Sequence, residues 1–196
     1  MASATRVHRF IRWRATRPAS RVAVEQRCGA WRACLGRPSM QSDAVISSDG
    51  VYRYRLMRTW DPTKLPLVWI MLNPSTADAA IDDPTIRRCM SFARREGCGG
   101  IEVLNLFAYR STKPSELDHA ADPVGPENDR WILDVLNRHD RCVCGWGAYS
   151  KAWSRAAAVM DLGGRIDFLC LGRTAAGHPR HPLYLPNNAH LIRWAA

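Results

Sequence analysis

No apolar run in this chain approaches the roughly 20 residues that a membrane-spanning helix requires. The longest, Leu65 to Leu72, is short and is interrupted by Pro66. The reading is therefore a soluble protein, placed in the cytoplasm, with no membrane partner. Cys-x-x-Cys pairs are also missing. The seven cysteines are an odd number, so neither a disulfide framework nor a zinc ribbon or iron–sulfur site is expected, and free thiols in a reducing compartment follow. No metal and no cofactor are implied.

Acidic residues are scarce at one end. Residues 1–42 hold nine Arg and a single acid, Glu25, whereas the remainder holds nineteen Lys or Arg against seventeen acids. The net charge of +10 thus belongs mostly to the head, and the high pI says little about what the rest of the chain binds. The head shows no hydrophobic period that would support a packed element. An Arg-rich, acid-poor head also fits an organellar transit peptide or a basic arm that touches phosphate. The favoured reading is a start assigned too early, because Met40 sits just before the domain pattern begins. Residues 43–196 are then one domain.

What is present is an alternation of strand and helix signals. VYRYRLMRTW (51–60) alternates Tyr and Leu with Arg, the period of a half-exposed edge strand, before Asp61-Pro62 turns the chain. PLVWIML (66–72) is a continuous β-branched and aromatic run ending at Asn73-Pro74, as a strand buried on both faces should be. Asp83-Pro84 opens a helix with a capping acid and Pro at the first position, and Ile86, Cys89, Met90 and Ala93 recur at helical spacing until Gly97. IEVLNLF (101–107), RCVCGW (141–146) and IDFLCL (166–171) read as further strands, separated by helices opened at Gly125-Pro126 and running from about Ala148 to Met160. Such an order demands right-handed crossovers and a parallel sheet covered on both faces. Ligands in these folds bind outside the carboxyl ends of the strands.

Those ends are polar or glycine-containing: Asn73-Pro74-Ser75-Thr76, Asn105, Gly145-Trp146-Gly147, and Gly172 leading to His178-Pro179-Arg180-His181-Pro182. A structural role competes with a functional one at each. Asn73 and Asn105 satisfy backbone groups in many ordinary turns. His178 and His181 make a poor zinc set, with Pro179 between them and no Cys nearby. Asp83 is explained as a helix cap, while Asp78 and Asp82 are weaker candidates for pocket acids. Cys142 and Cys144 face one side of a buried strand as small apolar groups. Ser75 has no general base beside it in sequence. Arg87, Arg88, Arg94 and Arg95 form a basic helix stretch that reads as a solvated face before it reads as a phosphate contact.

Two resemblances rest on these residues. MLNPSTADAAIDDPTIRRC, then NLFAYRSTKP, DPVGPEND, the Trp-Gly turn and GHPRHPLYL resemble the domain-of-unknown-function 1643 family, an uncharacterised bacterial and phage family, over nearly everything after residue 45. At a greater distance, the ordered set LNPS, VLNLFAYRST, CGWGAYSKAW and HPLYL is similar to the uracil–DNA glycosylase superfamily. That second resemblance implies a three-layer α/β/α fold with a four-stranded, mainly parallel sheet, here with an added N-terminal edge strand. It implies DNA or a nucleotide as partner and hydrolysis of an N-glycosidic bond. Asn73 would then hold the attacking water and Asn105 would read the edge of an extruded base. His181 would stabilise charge on the departing base, with Ser75, Gly147 and His178 around the substrate. The base-stacking role falls to Phe107, Trp146 or Phe92. Of the two His-Pro pairs His181-Pro182 is favoured, since Leu185 then falls where the superfamily has an apolar wedge. Two departures stand out: Leu72 replaces the usual Gly before the first motif, and no carboxylate occupies that motif. The alternative is a non-catalytic module that binds a nucleotide or nucleic acid on the same fold.

Overall fold

The computed structural model describes residues 39–75 and 82–194. The Arg-rich head up to residue 38 and the segment holding Thr76 and Asp78 lie outside the described residues. Seven strands form one sheet: β1 (Gln41–Ile46), β2 (Arg53–Thr59), β3 (Pro66–Met71), β4 (Gly100–Asn105), β5 (Arg141–Cys144), β6 (Asp167–Cys170) and β7 (Ile192–Arg193), in the spatial order β1-β2-β4-β3-β5-β6-β7. The helices are α1 (Pro84–Arg95), α2 (Asn128–Leu136) and α3 (Ala152–Gly163).

The mixed α/β class agrees with the sequence reading, but the sheet has seven strands rather than four. β4, β3, β5 and β6 are mutually parallel, while β1, β2 and β7 add antiparallel flanks. The segment expected at the edge, β2, lies between β1 and β4. Its Arg53 and Arg58 are buried rather than solvated. β1 takes the edge instead, and its sequence QSDAVI is too polar to announce a strand. It begins two residues ahead of Asp43. β7 is only two residues long, too short for any period to register.

β3 is central because both of its faces are apolar. Leu67, Trp69 and Met71 pack in the core beneath α1 with Ile86, Cys89, Phe92 and Ala93. Val68 and Ile70 point to the opposite core, with Ile132 and Val135 of α2 and Ala156 and Val159 of α3. The period of two along β3 thus divides one strand between two layers. Burying each such large side chain contributes roughly 1.5–3 kcal/mol.

Helix α1 starts as expected. Asp83 accepts the Ile86 N–H at 2.7 Å, and Pro84 occupies the first turn. Arg87, Arg94 and Arg95 are exposed, as a solvated face requires, and Arg88 is half-buried. Arg88 donates to the carbonyls of Pro182 and Leu185, Arg95 to those of Asn187 and Ala189, and Arg94 lies 4.5 Å from the Trp60 ring. Arg88 and Arg95 stitch the C-terminal segment onto the helix. α3 begins at Ala152, about four residues later than the pattern suggests, because Gly147 adopts φ +77° and a turn intervenes before the helix. Among the described residues no helix is long and apolar enough to cross a membrane.

On the α2 side of β4 one carboxylate is buried. Glu102 is 1% exposed and faces His139 Nε2 at 3.3 Å, Arg138 at 3.3 Å and Arg55 at 3.5 Å. Arg55 also lies over the ring of Trp131. Burial pushes the Glu102 carboxyl up. The His139 bond and the charges of Arg138 and Arg55 together outweigh that and hold it below the ordinary value.

Candidate functional site

The parallel strands all end on one edge, and that edge holds a pocket of about 530 Å³. Asn73 follows β3. Asn105 closes β4, in register with Met71. Trp146 and Gly147 follow β5, and His181 comes from the loop after β6. All five line the pocket, as does Ser75. The antiparallel β2 brings its beginning, not its end, to the same rim: the Arg53 N–H donates to the Ala108 carbonyl beyond β4, and the Arg53 side chain lines the pocket.

Asn73 is oriented without ambiguity. Its Nδ2 donates to the carbonyls of Ser111 (2.9 Å) and Pro74 (3.2 Å). Since both partners are acceptors, the amide nitrogen must lie on that side. Oδ1 is left as the uncommitted group, an acceptor.

Asn105 is 2% exposed, yet its side-chain amide makes no hydrogen bond with any described residue, although it lines the pocket. Its backbone is firmly held. Asn128, fully buried at the start of α2, donates from Nδ2 to the carbonyls of Asn105 and Leu106, each at 3.1 Å. Arg155 adds a bond to the Leu106 carbonyl at 2.8 Å. A pinned strand end thus presents to the cavity an amide that no described residue engages. It suits a ligand that supplies both a donor and an acceptor.

The two glycines around Trp146 do different work. At Gly145 a Cβ would meet Met71 Sδ at 3.0 Å and Pro182 at 3.1 Å, so a side chain there would press on both neighbours. At Gly147 the left-handed backbone decides. His181 Nδ1 accepts the Leu183 N–H at 3.3 Å, so the neutral imidazole carries its proton on Nε2. Burial lowers the His181 pKa below the ordinary value, with Asp83 opposing. Burial likewise lowers the Arg53 pKa to about 10, again with Asp83 opposing. That guanidinium stays charged at neutral pH.

A family model described as "Protein of unknown function (DUF1643)" matches residues 53–183. The chain belongs to this family. The matched span of the DUF1643 domain runs from Arg53 to Leu183 and takes in every residue lining the pocket except Tyr184. No curated protein and no solved structure matches the chain.

Several expected residues lie elsewhere in this DUF1643 domain. Phe107 does not line the pocket. It is buried behind Tyr149, whose ring it meets edge-on at 6.2 Å. Tyr149 is the pocket-side ring, and its hydroxyl donates to Asp118 at 2.7 Å. Partial burial and that bond push its phenol up to about 12. His178 is also outside the pocket, buried against Trp153 with ring centroids 4.5 Å apart. Of the two His-Pro pairs, only His181 reaches the cavity. Phe92 sits in the core against Trp69, under Arg88 and Arg95. Leu185 is 7% exposed, with its carbonyl held by Arg88, so it cannot act as a wedge. The apolar lip of the pocket is Leu183 and Tyr184, both exposed. Asp82 pairs with Arg58 at 2.8 Å.

Among the lining residues that the sequence reading does not single out for the site, such as Tyr149, Leu183 and Tyr184, two carry full charges. Arg53 looked like the solvated half of an alternating strand. Asp83 was fully accounted for as a cap, yet it also lines the pocket. The signal was available, because a helix that follows a loop from the carboxyl end of a strand starts at that same edge.

Proposed function

We propose that this domain binds a nucleobase, as part of a nucleic acid or a nucleotide, and hydrolyses its N-glycosidic bond. The observation that carries the reading is the amide of Asn105, facing a cavity at the carboxyl edge of the sheet and free of protein partners among the described residues. An amide offers one acceptor and two donors in a plane, the complement of a base edge that presents N–H beside C=O. Around it stand an acceptor for water, Asn73 Oδ1, and a neutral imidazole whose Nε2–H is suited to bond an oxygen gaining negative charge as the base departs. Four mutually parallel strands ending in Asn73, Asn105, Trp146-Gly147 and His181 also support the likeness to the uracil–DNA glycosylase superfamily. The stacking role belongs in this reading to Trp146 or to Tyr149.

The test is incubation with oligonucleotides carrying uracil, hypoxanthine or an alkylated base, followed by detection of abasic sites. Cleavage of at least one is expected, with a loss of about 100-fold or more in Asn73→Ala and in His181→Ala, both variants remaining folded. Binding of such oligonucleotides with no abasic product would leave a non-catalytic binding module. Neither binding nor cleavage would remove nucleic acid as the substrate.

A further inference from the structure

In the glycosidic reading the attacking water has two protons to place. Asn73 Oδ1 can accept one, since its own amide nitrogen is spent on two carbonyls. The other needs a group with real proton affinity. His181 is unavailable, since its Nδ1 already accepts the Leu183 N–H and its Nε2 carries the proton. Tyr149 is engaged as a donor to Asp118, and Arg53 is a cation. Among the described residues lining the pocket, Asp83 is the only carboxylate. Its Oδ1 caps α1, while Oδ2 accepts the Ser75 hydroxyl at 2.9 Å. Ser75 therefore points its proton at Asp83 and keeps its lone pairs for another donor.

Resting on the glycosidic reading above, we propose that Asp83 is the proton acceptor for the attacking water and that Ser75 relays the proton. The sequence motif after β3 has no carboxylate, and helix α1 delivers one to the same rim ten residues later. As the water oxygen bonds to the anomeric carbon, the C–N bond breaks and its electron pair leaves with the base. The water proton passes to Ser75 Oγ while the hydroxyl proton of Ser75 passes to Asp83 Oδ2. The base anion, bonded by His181 Nε2–H, regains a proton from solvent. The negative charge of Asp83 also favours the positive sugar ring of the transition state.

The variants are Asp83→Asn and Ser75→Ala in the full chain. Asn caps a helix about as well as Asp, so α1 should survive, and Asp83→Ser provides a second capping residue without charge. If the wild type cleaves, kcat should fall about 100-fold or more in Asp83→Asn with KM nearly unchanged, and about 10-fold in Ser75→Ala. Activity of Asp83→Asn and Asp83→Ser within twofold of wild type would overturn the proposal. A second readout needs no turnover. An oligonucleotide with a cationic pyrrolidine in place of the abasic sugar should bind wild type at least fivefold tighter than one with neutral tetrahydrofuran, and Asp83→Asn should abolish that preference. If the wild type cleaves no base, the glycosidic reading fails, and this pair of analogues still decides the role of Asp83. No preference, no binding of either, or a preference unchanged in Asp83→Asn would overturn it.

Discussion

Replacing Asn105 by Leu should lower affinity for a base-containing ligand by about 100-fold or more while changing the stability of the domain by less than about 1 kcal/mol. The two effects part because the amide bonds to no described residue and faces an open cavity of about 530 Å³, so its removal costs the fold no hydrogen bond. The extra bulk of Leu is tolerated by the same cavity. The clamp from Asn128 holds the Asn105 carbonyl, not its amide, and persists in the variant. Urea unfolding should show a nearly unchanged midpoint and slope, while titration with a uracil- or hypoxanthine-containing oligonucleotide should show the lost affinity. A lower midpoint with binding intact would mean that the amide serves the fold and not a ligand.

Glu102→Gln should destabilise the domain by about 3 kcal/mol at neutral pH. The carboxylate is the common acceptor for His139, Arg138 and Arg55, and its loss leaves Arg55 with only the exposed Asp43 at 3.1 Å and the buried His139 facing an amide in place of a carboxylate. Removing one member of such a buried set typically costs about 3–5 kcal/mol. Arg138, half in water, recovers part of its hydration and moderates the effect. The pH dependence has a definite sign. The folded pKa of Glu102 lies below its ordinary 4.5, so the unfolded chain takes up the proton first as pH falls. The contribution is fully present above that ordinary value and is lost as pH drops through the folded value. The gap between wild type and Glu102→Gln, measured by urea unfolding, should therefore be widest near neutrality and shrink in acid. A gap that stays constant below pH 4.5 would show that the loss is one of shape and not of charge.

How much of this was legible in the sequence depended on burial. β3 and α1 were readable because PLVWIM is buried on two faces and because Asp83-Pro84 carries its own start signal. β1 and β7 were not, one being a polar edge and the other two residues long. Asn73, Asn105, Trp146 and His181 could be gathered in advance, since parallel strands place their ends together. Arg53 could not, because its presence at that rim requires knowing that β2 runs antiparallel to β4. Leu185 was misjudged for a related reason. Its fate is set by Arg88, a residue 97 positions away that holds its carbonyl, and local pattern carries no trace of such a contact.

The pocket floor draws on both hydrophobic layers. Met71 and Val103 belong to the core beneath α1, whereas Trp146 belongs to the core beneath α2 and α3. The sheet otherwise keeps these two packing units apart. An occupant seated there would touch side chains of both layers, so that its binding energy would stabilise both faces of the sheet at once.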